Sequence, residues 1–215
     1  MKKTIGTALL ALTPFAQAIE YREELAPPNV AFYVELQGTH TDYDSLGAGD
    51  AGGFRFRLGL DLKDVKVGGW MLRAEGALNQ FGETRKTTTS SVPNNTDPVI
   101  AEEVTDVTNQ LRLSGIEGGL RLYDNRFFYV RGGAFVYSLK NRNEVKETFL
   151  DINGVVVDTD EKTPQEETIS GIGPYLGVGV EIPLVESVKA VAEYNAYQVD
   201  GETLNNLSLG FRFSF

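Results

Sequence analysis

The stretch from Leu207 to Phe215, which reads LSLGFRFSF, constrains the fold more than any other part of the sequence. Its large apolar residues all have odd residue numbers, and the residues with even numbers are small or polar. We refer to this odd or even numbering along a strand as its parity. An extended backbone sends alternate side chains to opposite faces, whereas a helix, at about 100° per residue, scatters them around its axis. The stretch is therefore predicted to be a strand with one apolar face. Phenylalanines exposed to water are a liability, so this face favours contact with lipid.

The same alternation recurs in seven segments upstream, which makes eight predicted strands. At about 3.3 Å per residue and a tilt near 45°, strands of roughly ten residues span an apolar band of roughly 25 Å. The seven upstream segments are Val30–Thr39, Phe54–Leu62, Trp70–Asn79, Val107–Leu122, Phe127–Tyr137, Ile172–Ile182 and Val188–Val199.

The fourth segment contains a fault in its alternation. Leu111 and Leu113 have odd parity, whereas Ile116 and Leu120 have even parity. If all large apolar side chains face lipid, one extra residue must be accommodated between the two sets. We therefore predict a β-bulge near Ser114-Gly115.

The connections alternate in length along the chain. Three long polar connections, predicted to be loops, are His40–Gly53, Gly82–Thr105 and Leu139–Thr168, and the others are short. Within the last of them, Asn153-Gly154 between β-branched runs predicts a type I′ hairpin, so strands five and six are expected to continue beyond the membrane as a protruding hairpin. Long connections at one rim and short turns at the other are typical of outer-membrane barrels.

The first residues read as a targeting segment. Lys2 and Lys3 precede an apolar run, and Ala16-Gln17-Ala18 ends it, so a secretory signal peptide is expected with cleavage after Ala18. The charged segment 19–29 is expected to be a periplasmic leader, and 30–215 the barrel domain. The remaining sequence has no run of transmembrane-helix length, so any crossing of a membrane is expected to be by strands.

Composition argues against nucleic-acid binding and excludes chemistry that depends on cysteine. The net charge of −10 disfavours nucleic acid as a partner, because affinity for phosphates comes mainly from basic residues. The sequence has no cysteine, which excludes disulfides, thiol redox chemistry and thiolate metal sites.

Alternation alone leaves open which face lies inside, so a soluble lipocalin-like barrel is the alternative fold. The aromatic final strand and the unequal connections favour the membrane. A girdle of aromatic residues at the inferred periplasmic rim also favours it. Its members are Trp70, Tyr123, Phe128, Phe213 and Phe215.

The pattern from Val30 to Phe215 resembles the small OmpA-type and OmpX-type barrels of bacterial outer membranes. The resemblance implies an all-β fold: an eight-stranded antiparallel up-and-down transmembrane β-barrel with long external loops and short periplasmic turns. It also implies a Gram-negative outer membrane as the location, reached by export through the periplasm. It implies that Phe211, Phe213 and Phe215 are an assembly signal read by the barrel-assembly machinery. The expected partners are outer-membrane lipid and lipopolysaccharide, and the chain is expected to be a monomer.

With apolar side chains outside, the other face of the strands carries seven basic and six acidic side chains into the lumen. An eight-stranded interior is just wide enough to be filled by side chains, so we expect these charges to pair. A side-chain-plugged lumen and a structural or surface-interaction role follow, with a porin-like channel for ions or small solutes as the alternative. The residues are Glu35, Arg55, Arg57, Asp61, Arg73, Glu75, Glu117, Arg121, Arg131, Glu181, Lys189, Glu193 and Arg212.

An enzymatic role, such as modification of lipid A, is the least favoured hypothesis. It would use His40 with Ser45 and a nearby acid such as Asp42, yet these residues lie in a glycine-rich loop without fixed geometry. An EF-hand beginning at Asp42 fails, because Leu46 and Gly53 stand where ligands are needed. We therefore predict no catalytic residue, no metal site and no cofactor.

Overall fold

The computed structural model describes residues 30–94, 99–124 and 127–215, apart from the side chains of residues 63 and 64. The predicted signal peptide and leader lie outside the described residues. Among those described, no helix is long and apolar enough to cross a membrane. The strands are β1 (Val30–Asp42), β2 (Ala51–Val67), β3 (Trp70–Pro93), β4 (Glu102–Tyr123), β5 (Phe128–Leu150), β6 (Val156–Glu161), β7 (Gln165–Val185), β8 (Val188–Val199) and β9 (Glu202–Ser214).

Eight of these strands form a closed antiparallel ring. Their order around the ring is β1-β2-β3-β4-β5-β7-β8-β9, and β9 pairs again with β1. Closure satisfies the backbone hydrogen bonds of every strand at this level and leaves no free edge. β6 pairs only with β5, above the ring. The predicted eight-stranded barrel is confirmed.

The two faces of the ring are inverted relative to a water-soluble protein. Glu35 and Arg57 are completely buried, whereas their neighbours Leu36 and Leu58 are 52% and 53% exposed. Large apolar side chains on the outside and charges on the inside suit hydrocarbon, and they are the opposite of a soluble lipocalin-like barrel.

The predicted bulge at Ser114-Gly115 is wrong. β4 and β5 pair in unbroken register from Glu102 to Tyr123. Leu111 and Leu113 need no bulge, because both point inward and are buried. The irregularity lies instead on β3, whose pairing with β4 shifts between Gln80 and Glu83.

The predicted loop Gly82–Thr105 is also wrong over most of its length. β3 continues to Pro93 and β4 begins at Glu102, and the two strands pair up to that level. The segment is rich in threonine, a β-branched residue that fits a strand with two polar faces. A polar composition therefore did not indicate a loop here.

The Asn153-Gly154 turn is not of type I′. That type needs positive φ at both central residues, and only Gly154 has one, at 75°. The Asp151 carboxylate accepts hydrogen bonds from the backbone N–H groups of Val155 and Asn153 and so holds a different turn. The same bonds lower the pKa of Asp151. Two other turns have two positive φ values: the β2–β3 turn, at Gly68 (57°) and Gly69 (87°), and the β8–β9 turn, at Asp200 (51°) and Gly201 (87°).

The ring is much taller on one side than on the other. β3 has 24 residues, or about 80 Å at 3.3 Å per residue, whereas β8 has 12. The upper parts of β3, β4 and β5, together with β6, continue above the ring as a sheet. We call this the upper sheet; it comprises residues 83–93, 102–112, 139–150 and 156–161.

The inverted faces predict where a charge is tolerated. Leu176→Arg, on the lipid-facing side of β7, is expected to lower the free energy of unfolding by about 2–4 kcal/mol. Val157→Arg is the matched control, because Val157 lies in β6 above the ring and should change stability by under about 1 kcal/mol. Urea unfolding of the barrel in phospholipid vesicles measures both, and equal losses would contradict the assigned faces.

Candidate functional site

The lumen collects the charged residues predicted from the alternation, and it has three layers. We call the end that carries the β2–β3, β4–β5 and β7–β8 turns the turn rim, and the opposite end the loop rim. The layers are a charged ring at the turn rim, a central cluster of arginine and glutamate, and an apolar cap near the loop rim.

The turn-rim layer holds Asp61, Arg73, Glu181, Lys189 and Arg212. Glu181 is its centre: it accepts hydrogen bonds from Arg212 at 2.9 and 3.0 Å and from Lys189 at 3.2 Å. Arg73 bonds to Glu181 and lies 3.3 Å from Asp61. A cavity of about 230 Å³ opens at this rim beside these side chains.

Tyr123 belongs to this layer rather than to the predicted aromatic girdle. Its hydroxyl donates to Asp61 at 2.6 Å, and the Arg73 guanidinium lies 3.5 Å from its ring centre. Its parity places it inside, with Arg121. Phe128 and Phe215, by contrast, are outside and 61% and 82% exposed.

The central cluster consists of four arginines and four glutamates, so its formal charges balance. Their side chains are at most 1% exposed. Charges this deep are tolerated only when each has partners, because an unpaired one would cost several kcal/mol. The members are Arg55, Arg57, Arg121, Arg131, Glu35, Glu75, Glu117 and Glu193.

Glu193 is the hub of the central cluster. It accepts hydrogen bonds from Arg55 and Arg131, each at 2.7 Å, and from Arg57 at 2.8 and 3.0 Å. The Tyr129 hydroxyl donates to the same carboxylate at 2.8 Å. Arg121 is the link to the turn rim, since it bonds to both Glu35 and Glu181 at 2.8 Å.

Inward-facing glycines leave room for the rings of two tyrosines in the lumen. The Tyr33 ring lies over Gly59, its partner on β2, and the Tyr129 ring lies over Gly179, its partner on β7. A Cβ at either glycine would overlap the ring. The glycines therefore create room for aromatic rings whose hydroxyls reach the carboxylates.

An apolar cap of buried side chains lies inside the ring above the charges, and it was not predicted from the sequence. Phe81 packs edge-on against Phe135 at 5.6 Å and against Tyr197 at 5.1 Å between ring centres. Tyr43, from the β1–β2 connection, is fully buried with them. The sequence did contain a sign of the cap: Leu111 and Leu113 have the same parity as Glu117 and Arg121, which were predicted to face the lumen. The buried members are Tyr43, Ala48, Ala51, Phe81, Leu111, Leu113, Phe135, Tyr137, Leu139, Tyr175, Tyr197, Val199 and Leu204.

His40 and Ser45 do not form a catalytic arrangement. His40 lies on the outer face, 3.4 Å from Asp50, and the Ser45 hydroxyl donates to the backbone carbonyl of Thr203 at 3.3 Å. No hydrogen bond joins His40 to Ser45 in the part of the chain that the structure describes. Nor do the described residues include a group of three or more His, Cys, Asp or Glu placed to hold a metal ion.

Two phenylalanines of the predicted assembly signal, Phe211 and Phe213, lie on the outer face of β9, and the third, Phe215, directly follows the strand. Phe211 and Phe213 are 51% and 37% exposed. The backbone N–H of Phe215 donates to the carbonyl of Phe32 at 3.0 Å, which continues the seam between β9 and β1.

Solved structures similar to this chain are bacterial barrels of low sequence identity. Ail of Yersinia pestis has 12% identity and a TM-score of 0.43, and the match covers 88% of this chain and 100% of that one. The N-terminal barrel domain of Pseudomonas aeruginosa OprF has 12% identity, 85% and 97% coverage and a TM-score of 0.35. Neisserial surface protein A has 13% identity, 86% and 97% coverage and a TM-score of 0.33.

A family assignment comes from the sequence match to a family model. The comparison with curated proteins finds no match, and the structural similarities are too low to support an inference about function. The model of the outer membrane protein beta-barrel domain matches residues 6–215. The chain therefore belongs to the outer membrane protein beta-barrel domain family and is a protein of the Gram-negative outer membrane.

Proposed function

We propose that this protein is a non-conducting barrel that presents the upper sheet at the cell surface for interaction with other molecules. The first half is supported by two layers of buried side chains inside the ring, the central cluster of paired charges and the apolar cap. An ion that crossed would have to displace paired guanidinium and carboxylate groups and then pass a layer of aromatic and leucine side chains.

The upper sheet supports the second half of the proposal. β6 pairs with β5 on one side only, and its other edge has no partner strand among the described residues. Free backbone N–H and C=O groups at such an edge pair readily with an added strand. Asp158, Asp160 and Glu161 make the edge acidic, so a basic extended segment is the partner chemistry that fits it.

If the lumen is plugged as proposed, planar-bilayer recordings should show little or no current. The folded barrel is expected to produce at most small, intermittent currents, because an ion would have to pass both the buried ion pairs and the cap. Steady nanosiemens-scale conductance would contradict the proposal and favour the porin-like alternative.

Because Glu193 is the hub of the central cluster, neutralising its carboxylate should greatly lower the free energy of unfolding of the barrel. Glu193→Gln keeps the size of the side chain but leaves buried guanidinium groups without their carboxylate, and should cost about 3–5 kcal/mol. The matched control is Glu161→Gln: Glu161 is exposed and 3.5 Å from Lys146, a pair worth under about 1 kcal/mol. Denaturant unfolding in vesicles measures both. A similar small effect for both variants would argue against the cluster as the frame of the barrel.

If a partner binds at the edge of β6, removal of the β5–β6 hairpin should abolish that binding and leave the barrel folded. Replacing Glu147–Asp160 by Asn-Gly would join Lys146 to Glu161, which are cross-strand partners, through a tight turn. Heat-modifiable mobility in electrophoresis should be retained. Binding of a labelled peptide of alternating lysine and valine, measured by fluorescence anisotropy, should be lost. Unchanged peptide binding by the deletion variant would refute the role of this edge.

A further inference from the structure

Asn153 is the only asparagine of the sequence that precedes a glycine. The pair lies at the tip of the β5–β6 hairpin, and both residues are exposed. The backbone of Gly154 has a φ of 75°, and a Cβ built there would have no atom within 4 Å. The peptide bond between Asn153 and Gly154 is therefore open to water.

An asparagine in this position can react with its own backbone. The backbone nitrogen of Gly154 is the nucleophile, the side-chain carbon Cγ of Asn153 is the electrophile, and a bond between them closes a five-membered ring. Glycine offers its nitrogen without a Cβ that would hinder the approach. Because both groups belong to one dipeptide, the attack gains from proximity.

Asp151 holds both reacting groups in the turn. Its backbone carbonyl accepts a hydrogen bond from the Gly154 N–H at 3.0 Å. Its carboxylate accepts one from Nδ2 of Asn153 at 3.3 Å. Hydrogen bonds at an exposed hairpin tip open at a low cost in free energy, so the turn keeps the nucleophile near the electrophile and still releases them for reaction.

We propose that Asn153-Gly154 is a modification site at which Asn153 loses ammonia through a cyclic imide and becomes aspartate or isoaspartate. The Gly154 nitrogen forms a bond to Cγ, the bonding pair of Cγ–Nδ2 leaves with Nδ2, and Nδ2 takes the Gly154 proton to depart as ammonia. Water then opens the ring. Attack at Cγ gives aspartate, and attack at the main-chain carbonyl gives isoaspartate, which adds one carbon to the backbone. Water is the only co-reactant.

Either product places a second carboxylate beside that of Asp151. The hydrogen bond from Nδ2 is lost, and two negative groups then face each other across the turn. β6 has six residues and pairs only with β5, and a short two-stranded hairpin is marginally stable without its turn. The modification therefore loosens β6 from β5. Its effect on partner binding rests on the proposed function, in which the edge of β6 is the binding site.

The test follows the full-length mature barrel, folded in detergent, during incubation in warm and mildly alkaline buffer. Cleavage after lysine gives peptide 147–162, whose only asparagine is Asn153, and peptide 141–146, which contains Asn141 and Asn143 of β5 as internal controls. Mass spectrometry should find the aspartate and isoaspartate products in peptide 147–162. They should form at least about tenfold faster than products in peptide 141–146, because a following side chain and strand hydrogen bonds both hinder ring closure.

A variant and the internal control make this chemistry falsifiable. Asn153→Gln would need a six-membered ring and should suppress deamidation at residue 153. Equal rates in the two peptides, or undiminished deamidation of Asn153→Gln, would overturn the proposal. Heat-modifiable mobility verifies that each sample is folded.

Hydrogen exchange of the β6 amides tests the structural consequence. Asn153→Asp should make these amides exchange several-fold faster than in wild type. Thr163→Asp, which adds the same charge at an exposed position beyond β6, should leave the exchange unchanged. Unchanged exchange in Asn153→Asp would overturn the loosening of β6.

Peptide binding separates this proposal from the proposed function. Binding of the labelled lysine–valine peptide should fall as wild type is incubated and should persist in Asn153→Gln. If fresh wild type does not bind the peptide while the deamidated products still form, the proposed function is refuted and the modification site stands.

Discussion

Everything in this structure depends on the absence of water from hydrocarbon. A strand that crosses it must find all its backbone hydrogen bonds in neighbouring strands, and the β1–β9 seam completes that requirement by closing the ring. A charged side chain that faced hydrocarbon would have no water to solvate it, so the charges of the membrane-spanning segments lie in the lumen. There they satisfy one another, and Glu193 with its surrounding arginines is the densest part of that network.

Parity alone predicted which side chains lie in the lumen wherever the strand is surrounded by lipid. Arg131 and Glu193, for example, were placed inside by their alternation with Val130 and Ala192, and both are buried. The assumption that every large apolar residue faces lipid then misplaced Leu113. Its interior position depends on the cap, and the cap depends on Tyr43 and Phe81, which lie in or beside segments read as loops.

The upper sheet escaped prediction for a related reason. Above the bilayer both faces of a strand meet water, so the alternation between apolar and polar residues disappears. Residues such as Thr87 and Thr89 therefore do not indicate from sequence that they belong to a strand, or which face they occupy. Their cross-strand pairing with Thr108 and Asp106 becomes visible only in three dimensions. The turn at Asn153-Gly154 differs from its expected type because one carboxylate, that of Asp151, captures nearby backbone N–H groups.

The unequal height of the barrel wall implies that tolerance of substitution differs along the chain. Residues near Ile152, which is 84% exposed at the end of the β5–β6 hairpin, touch neither the lumen nor the bilayer. Substitutions there leave the packing of the wall intact, so the sequence of this hairpin tip is free to vary. The short β8–β9 turn tolerates less change, because Asp200 and Gly201 both have positive φ and the Asp200 N–H donates to the Tyr137 hydroxyl of the apolar cap at 2.8 Å.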